Sequence, residues 1–425
     1  MKRYMVVLFS LLVGDSLSAQ RSETLLTCWN FHLGDEPAAM APDYDDSGWE
    51  RVVIPHDWAI EGPFDIRHDL QNVAVLQNGE TAATLKTGRT GGLPYIGCGW
   101  YRTSFETLAD SRMELIFDGA MSEPHVYVNG HEVCFWPYGY NSFHCDVSPC
   151  LNPAGERNVL AVRLENLPFS SRWYPGAGLY RNVHLVSTSP VAHVPVWGTY
   201  VTTPEVSSTV ATVRIETSVD ASEGVMIECR TALKNADGEV VAFAVVKDVF
   251  VGKPFVQELT VDNPALWSPE RPDCYTAVTS LYVDGKCEDV HETLFGIRSI
   301  EFRAHEGFFL NGERRQFKGV CNHHDLGPLG AAVHVDALRH QLALLKDMGC
   351  DAIRTSHNMP APELVRLCDE MGFMMMIEPF DEWDDAKCQN GYHRWFDEWA
   401  EKDMGEASCV GQLSLIDPCT GGHCS

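Results

Sequence analysis

The sequence predicts a multidomain chain: a first β-sandwich, a second sandwich of immunoglobulin-like character, and then the opening strands of an incomplete (β/α)8 TIM barrel. Three observations predict it. Short strand-length runs punctuated by turn residues fill the chain from about Arg21 to Arg298. Near Pro190 the runs lengthen and the aromatics thin out. After Arg298 the order becomes strand, helix, strand, helix, strand, which is how a parallel α/β fold begins.

In the first region, Met113 to Phe117, His125 to Val128 and Val159 to Leu164 alternate or run apolar over strand length. Asn129-Gly130 supplies the positive φ angles of a tight hairpin. Trp29, Trp49, Trp58, Trp100, Trp136 and Trp173 make this region aromatic-rich, and in a sandwich such rings fill core and loop contacts. In the second region, Ala211 to Val219, Gly224 to Lys234, Val240 to Val246 and Cys274 to Val283 read as strands. Ala236-Asp-Gly238 and Asp284-Gly285 serve as turns. A run of this length suits an immunoglobulin-like spacer.

In the third region a hairpin around Asn311-Gly312 precedes the strand Phe317 to Asn322. Val335 to Met348 reads as a helix, with Val335, Leu338, Leu342, Leu345 and Met348 on one face and Gly349 as its stop. Asp351 to Thr355 is the second strand. Pro362 opens the next helix at a position where its missing N–H costs nothing. Phe373 to Ile377 is the third strand, continuously apolar as befits a strand covered on both faces. A closed barrel takes roughly 250 residues, more than twice the length from Ser299 to Met404.

The net charge of −27 argues against a nucleic-acid or anionic-membrane partner; it fits a neutral or cationic small-molecule substrate, or, as acidity more often does, simply serves solubility. Residues 1–19 have the layout of a secretory signal: Lys2 and Arg3, an apolar run from Tyr4 to Val13, and Ser16-Leu-Ser-Ala19 before Gln20. The run is too short to span a bilayer. A secreted or periplasmic protein is therefore expected, with no membrane span. The 15 cysteines are scattered without CxxC pairs, so no zinc pattern appears and no disulfide can be placed.

Three stretches, in order, resemble glycoside hydrolase family 2. The first is Asp45-Asp-Ser-Gly-Trp-Glu-Arg-Val-Val-Ile-Pro-His-Asp-Trp-Ala-Ile-Glu-Gly-Pro63 with Gly99-Trp-Tyr-Arg102. The second is Ser170-Ser-Arg-Trp-Tyr-Pro-Gly-Ala-Gly-Leu-Tyr-Arg-Asn182. The third joins Gly319-Val-Cys-Asn-His-His-Asp325, Ala352-Ile-Arg-Thr-Ser-His-Asn358 and Glu378-Pro-Phe-Asp-Glu-Trp383. The resemblance implies a sugar-binding jelly roll over residues 20–188, an immunoglobulin-like sandwich over 189–298 and the front of a catalytic barrel over 299–404. The string Ser170 to Pro175 is more similar to the β-galactosidase branch than to the β-glucuronidase or β-mannosidase branches. The implied activity is retaining hydrolysis of terminal β-linked sugars. No organic cofactor is implied, and a bound cation is left unassigned.

Catalytic groups of such barrels lie at the C-terminal ends of strands around one mouth. His323, His324 and Asp325 follow the first strand, His357 and Asn358 the second, and Asp381 and Trp383 the third. Convergent short polar side chains can hydrogen-bond sugar hydroxyls, and Trp383 can face the C–H side of the ring. The resemblance implies that His323 and His357 contact the sugar. Each position has a plainer alternative. His323-His324-Asp325 suggests a metal cluster, against which adjacent histidines on an extended segment point opposite ways. Arg354 either contacts substrate or holds an inner salt bridge. Glu378 reads either as a catalytic acid or, since the resemblance implies an acid/base on a later strand, as a partner that orients its neighbours, and Asp381 either binds sugar or only orients neighbours. Arg172 and Trp173 either edge the sugar site from the jelly roll or merely pack and face solvent.

A retaining glycosidase needs two carboxyls roughly 5–5.5 Å apart. The resemblance implies that both are glutamates on later strands, the acid/base directly after an asparagine. The sequence contains no Asn-Glu dipeptide, so no residue is assigned as catalytic. From Gly405 to Ser425 the helical period vanishes, cysteine and glycine crowd in, and the resemblance stops. A frameshift near Met404 is the expectation, with a truncated, inactive product. The alternative is a non-catalytic carbohydrate-binding or assembly protein.

Overall fold

The computed structural model describes residues 21–74, 78–87, 95–249, 251–379, 381 and 388–395. The signal-like N-terminus, Trp383 and the tail after residue 404 lie outside the described residues.

In the first region two antiparallel sheets close over one core. One orders Ser22–Leu25, Val183–Thr188, Arg112–Phe117 and Phe143–Asp146. The other orders Glu50–Val53, Cys28–Leu33, Gly97–Glu106, Arg157–Asn166, His125–Val128 and His131–Phe135. Period-two alternation sends Leu160, Val162 and Leu164 of the Arg157–Asn166 strand into the space shared with Leu115 and Phe117 of the opposite sheet. Trp29, Trp58 and Trp136 sit in the same core, and Trp100 is buried on the other face of its sheet with Ala39 and Ala161. The Asn129-Gly130 turn has φ of 51° and 84°, the left-handed pair that the hairpin requires.

The second region repeats the arrangement with a three-stranded and a four-stranded sheet. The first comprises Thr199–Val206, Val210–Thr217 and Phe255–Asp262; the second orders Val240–Val249, Ile227–Lys234, Tyr275–Val283 and Lys286–Phe295. Val213, Ile215 and Leu259 face Leu233, Ala277 and Phe295 across the core. Asp284 and Gly285, at φ of 50° and 83°, turn the last hairpin.

In the third region Gly319–Asn322, Ala352–Thr355 and Met374–Ile377 lie parallel in that order. Helices α1 (Val335–Asp347) and α2 (Pro362–Met371) cover one face, burying Leu338, Leu342, Leu345, Leu367 and Cys368 against Ile353, Met375 and Ile377. Helix α1 ends in a Schellman pair: Cys350 N–H donates to the Leu345 carbonyl at 2.9 Å and Gly349 N–H to the Lys346 carbonyl at 2.8 Å. Met348 is still in the right-handed conformation, its N–H donating to the Leu344 carbonyl at 3.1 Å, and so it lies a turn beyond exposed Leu344 at the margin of the stripe. Met348 is 73% exposed, a departure from its expected place on that face. The N-terminal ends of the parallel strands are plugged by Trp267, Phe308 and Leu310, packed on Ala352 and Met374. Trp267 Nε1 donates to the carbonyl of Asp369 at 3.0 Å, fastening the second region to the end of α2.

One ion cluster at the edge of the core, with His184 and Asp118 largely covered and Glu23 exposed, pins the first strand of the first region. His184 Nδ1 meets Glu23 at 2.6 Å and Nε2 meets Asp118 at 2.7 Å. Burial alone would depress this imidazole, but the hydrogen bonds and charges of Asp118 and Glu23 outweigh it and hold the pKa at about 10. A histidine whose folded pKa is raised from about 6.5 adds stability that is complete below about pH 6.5 and lost as pH rises through about 10. His184→Gln is therefore expected to lower the denaturation midpoint at pH 6 markedly and at pH 10.5 hardly at all, read by urea melts at the two pH values.

Candidate active site

The site forms where a loop of the first region crosses to the C-terminal ends of the parallel strands. Its anchor is Asp57, buried within the first region. Asp57 Oδ1 accepts from the backbone N–H groups of Ala59 at 3.0 Å and Ala177 at 2.9 Å. Its Oδ2 accepts from the Ala331 N–H at 2.7 Å and from the Tyr174 hydroxyl. Burial still outweighs these bonds and keeps the carboxyl above its ordinary range. Two glycines make the approach feasible. A Cβ on Gly330 (φ +61°) would fall 2.4 Å from Asp57 Oδ2, and one on Gly176 (φ +76°) would fall 2.4 Å from Ala331 Cβ.

Held in this way, residues 170–175 reach the strand ends. Arg172 donates to Asp381 at 2.5 Å, and its guanidinium lies 5.4 Å from the centre of the Trp173 ring. Trp173 Nε1 donates to the Tyr140 hydroxyl at 3.1 Å. The indole then stands edge-on to His323, with centroids 5.7 Å apart, and 5.8 Å from His357; the two imidazoles are themselves 5.8 Å apart. Beside this triad is a small cleft lined by Tyr138, Tyr140, Arg172, Trp173, Asn358 and Asp381, among others.

His357 is oriented by Glu378. Its Nδ1 lies 2.6 Å from Glu378 Oε2, and because a carboxylate only accepts, Nδ1 carries the proton and Nε2 is left for a ligand. Arg354 pairs with the other oxygen, Glu378 Oε1, and the Glu378 N–H is fixed by Thr355 Oγ1 at 3.0 Å. Burial, reinforced by the neighbouring His357, holds the His323 pKa below its usual value against Asp325 and Asp381. His323 is thus a neutral hydrogen-bonding group at neutral pH. Asp325 is half-buried and acts through its field on Tyr174 and His323. Asn358 Oδ1 accepts from the Tyr138 hydroxyl at 3.0 Å, and its Nδ2 is buried without a hydrogen-bond partner among the described residues.

One candidate departs from expectation. His324 turns away from the triad, because successive side chains on an extended segment alternate sides. Its Nε2 donates to the Pro175 carbonyl at 3.1 Å, its ring stands edge-on to Tyr140 and Tyr180, and burial drives its pKa down to about 4. It joins two regions and does not reach the cleft beside Trp173. Among the described residues no three His, Cys, Asp or Glu side chains converge as metal ligands. Trp383 lies outside the described residues. Sequence reasoning missed Tyr138 and Tyr140, although the aromatic run Phe135-Trp-Pro-Tyr-Gly-Tyr140 was available to flag them.

Comparison with known proteins matches this architecture. Residues 193–298 match the family model for glycosyl hydrolases family 2, and residues 300–393 match the TIM barrel domain of the same family. The chain belongs to glycoside hydrolase family 2. It is 42% identical over 389 residues to the β-galactosidase BoGH2A of Bacteroides ovatus, covering 89% of this chain and 43% of that protein. It is 28% identical to a β-glucuronidase of Bacteroides fragilis, covering 88% of this chain and 52% of that one. A solved family 2 glycosyl hydrolase of Bacteroides cellulosilyticus superposes with a TM-score of 0.83 at 31% identity, over 94% of this chain and 51% of the other. The chain thus spans about half the length of such relatives, or less.

Asp57→Ala removes the shared acceptor and leaves the Ala177 and Ala331 N–H groups buried and unmatched. A loss of about 2–4 kcal/mol is expected, measured by urea unfolding, with faster proteolytic cutting between residues 323 and 334.

Proposed function

We propose that the cleft holds the terminal sugar of a neutral β-galactoside, and that residues 21–395 are the recognition part of a retaining glycosidase. In this reading residues 20–188 are a jelly-roll sugar-binding domain, 189–298 an immunoglobulin-like spacer and 299–404 the opening of the catalytic barrel. Residues 1–19 direct export to a secreted or periplasmic location, and no organic cofactor takes part. His357 Nε2, His323 and the Asn358 amide meet sugar hydroxyls, while Trp173 and Arg172 close one side of the ring.

One observation carries the choice of sugar. Among the described residues, the two arginines of the site are each matched by a carboxylate, Arg172 by Asp381 and Arg354 by Glu378. A sugar bearing its own carboxylate would have to break one of these pairs, whereas the hydroxyls of a galactoside need no counter-charge. The same pairs occupy the carboxylates of Asp381 and Glu378, so neither is poised as a nucleophile. With no Asn-Glu dipeptide in its sequence, the 425-residue chain by itself binds sugar and does not turn it over.

Galactose should bind at least about tenfold more tightly than glucuronate, a difference of roughly 1.4 kcal/mol, in a titration followed by ligand-observed NMR. Equal or reversed affinities would overturn the choice of sugar. Trp173→Ala should weaken galactose binding by about tenfold as well. Incubation of the chain with p-nitrophenyl β-galactoside should release no nitrophenol above the Trp173→Ala control; steady release would sink the proposed inactivity.

A further inference from the structure

Cys134 and Cys145 lie on the outermost strands of the two sheets of the first region. Cys134 is on His131–Phe135 at the edge of the six-stranded sheet, and Cys145 is on Phe143–Asp146 at the edge of the four-stranded one. The two edge strands touch where the sheets would otherwise part, and both cysteines pack on the same core there, which makes the thiols neighbours. Cys145 is a member of the core at 4% exposure, and half-buried Cys134 packs against the same core. Between them runs the segment 135–144, which carries Tyr138 and Tyr140. Tyr138 donates to Asn358 Oδ1 and to the Pro379 carbonyl, each at 3.0 Å, and Tyr140 receives the Trp173 indole N–H. This segment is the first region's second arm into the cleft, beside residues 170–175.

We propose that Cys134 and Cys145 form a disulfide that closes the 135–144 segment into a covalent loop and holds Tyr138 and Tyr140 at the sugar site. The oxidant is a small-molecule or protein disulfide. The Cys134 thiolate attacks one of its sulfurs and expels a thiolate. The Cys145 thiolate then attacks Cys134 Sγ and expels the second. Two cysteine thiols lose two electrons and two protons, and the reagent disulfide is reduced to two thiols. Half-buried Cys134 is the sulfur that a reagent reaches first, and Cys145 resolves the mixed disulfide from inside. The neighbouring Cys134, and then burial, hold the Cys145 thiol well above its ordinary pKa, so it stays protonated and inert until its neighbour has reacted. The proposed export supplies the oxidising surroundings in the cell, but bond formation in vitro does not depend on it.

The test is a thiol map of the full chain. The protein is equilibrated with excess oxidised over reduced glutathione, alkylated with N-ethylmaleimide and digested with chymotrypsin without reduction, since residues 135–144 contain no Lys or Arg. A cross-linked peptide pair joining Cys134 to Cys145 is expected. Recovery of both as alkylated thiols, or of Cys134 joined to another cysteine such as Cys150, would overturn the proposal. The positioning role has its own readout, which needs no variant. Reduction should speed backbone hydrogen exchange at 135–144 by about tenfold or more while leaving Ile227–Lys234 unchanged. Unchanged exchange at 135–144 would refute the role of the bond even if it forms.

Discussion

The site depends on a buried carboxylate being saturated from three separate parts of the chain. Asp57 accepts from Ala59 two residues away, from Tyr174 and Ala177 in the crossing loop, and from Ala331 beyond the first parallel strand. A carboxylate sealed from water tolerates its location only while its lone pairs are matched. The requirement therefore fixes the distance between the first region and the strand ends, and with it the height of Arg172 and Trp173 over the cleft. The glycines at 176 and 330 are the backbone's share of the same constraint, since a methyl group at either position would occupy the space of the carboxylate or of Ala331.

The cleft that results is shared property. Its aromatic wall comes from the first region, as Tyr138, Tyr140 and Trp173. From the parallel strands comes Asn358, with His323 and His357 standing beside the cleft against the Trp173 ring. Charge is disposed in a chain, in which Arg354 holds Glu378 and Glu378 holds His357, so that the imidazole presents one defined nitrogen. Positioning of this kind keeps ligand hydrogen bonds short without spending binding energy on reorganisation.

Much of the local structure was legible because local physics decides it. Asn129-Gly130, Asp284-Gly285 and Asn311-Gly312 all turn hairpins with both residues at positive φ. Pro362 opens α2, Gly372 ends it in the left-handed region, and the three parallel strands fall within a residue or two of their expected bounds. Met348 misled because its place on the wheel is at the margin of the stripe, a turn beyond exposed Leu344, where the helix ends uncovered. Within the site, Arg172, Trp173, His323, His357, Asn358 and Asp381 are gathered around one cleft or its edge. His324 is not, although alternation along an extended segment already implied that it and His323 part company. The aromatic run marked Tyr138 and Tyr140 as candidates, but what they and Asp57 do was not legible, for a different reason. Their meaning lies in partners 117 to 274 residues away for Asp57 and 220 residues away for Tyr138, and no local spacing encodes such pairs.

Arg181 sits wholly inside this junction, and its guanidinium is spent on backbone carbonyls: Asp118 and Tyr140 within the first region, Met359 and Pro360 in the third. A ribosome delivers these acceptors at different times. When the first region has emerged and its sheets can pair, two of the four carbonyls are still unmade, and the charged group must stay wet or fold inward half-satisfied. The growing chain therefore has an interval, some 180 residues of synthesis long, in which its first domain is shaped but not sealed. Chaperones that grip incomplete domains would meet this protein with that seam open, and translation speed through the second region would set how long it remains so.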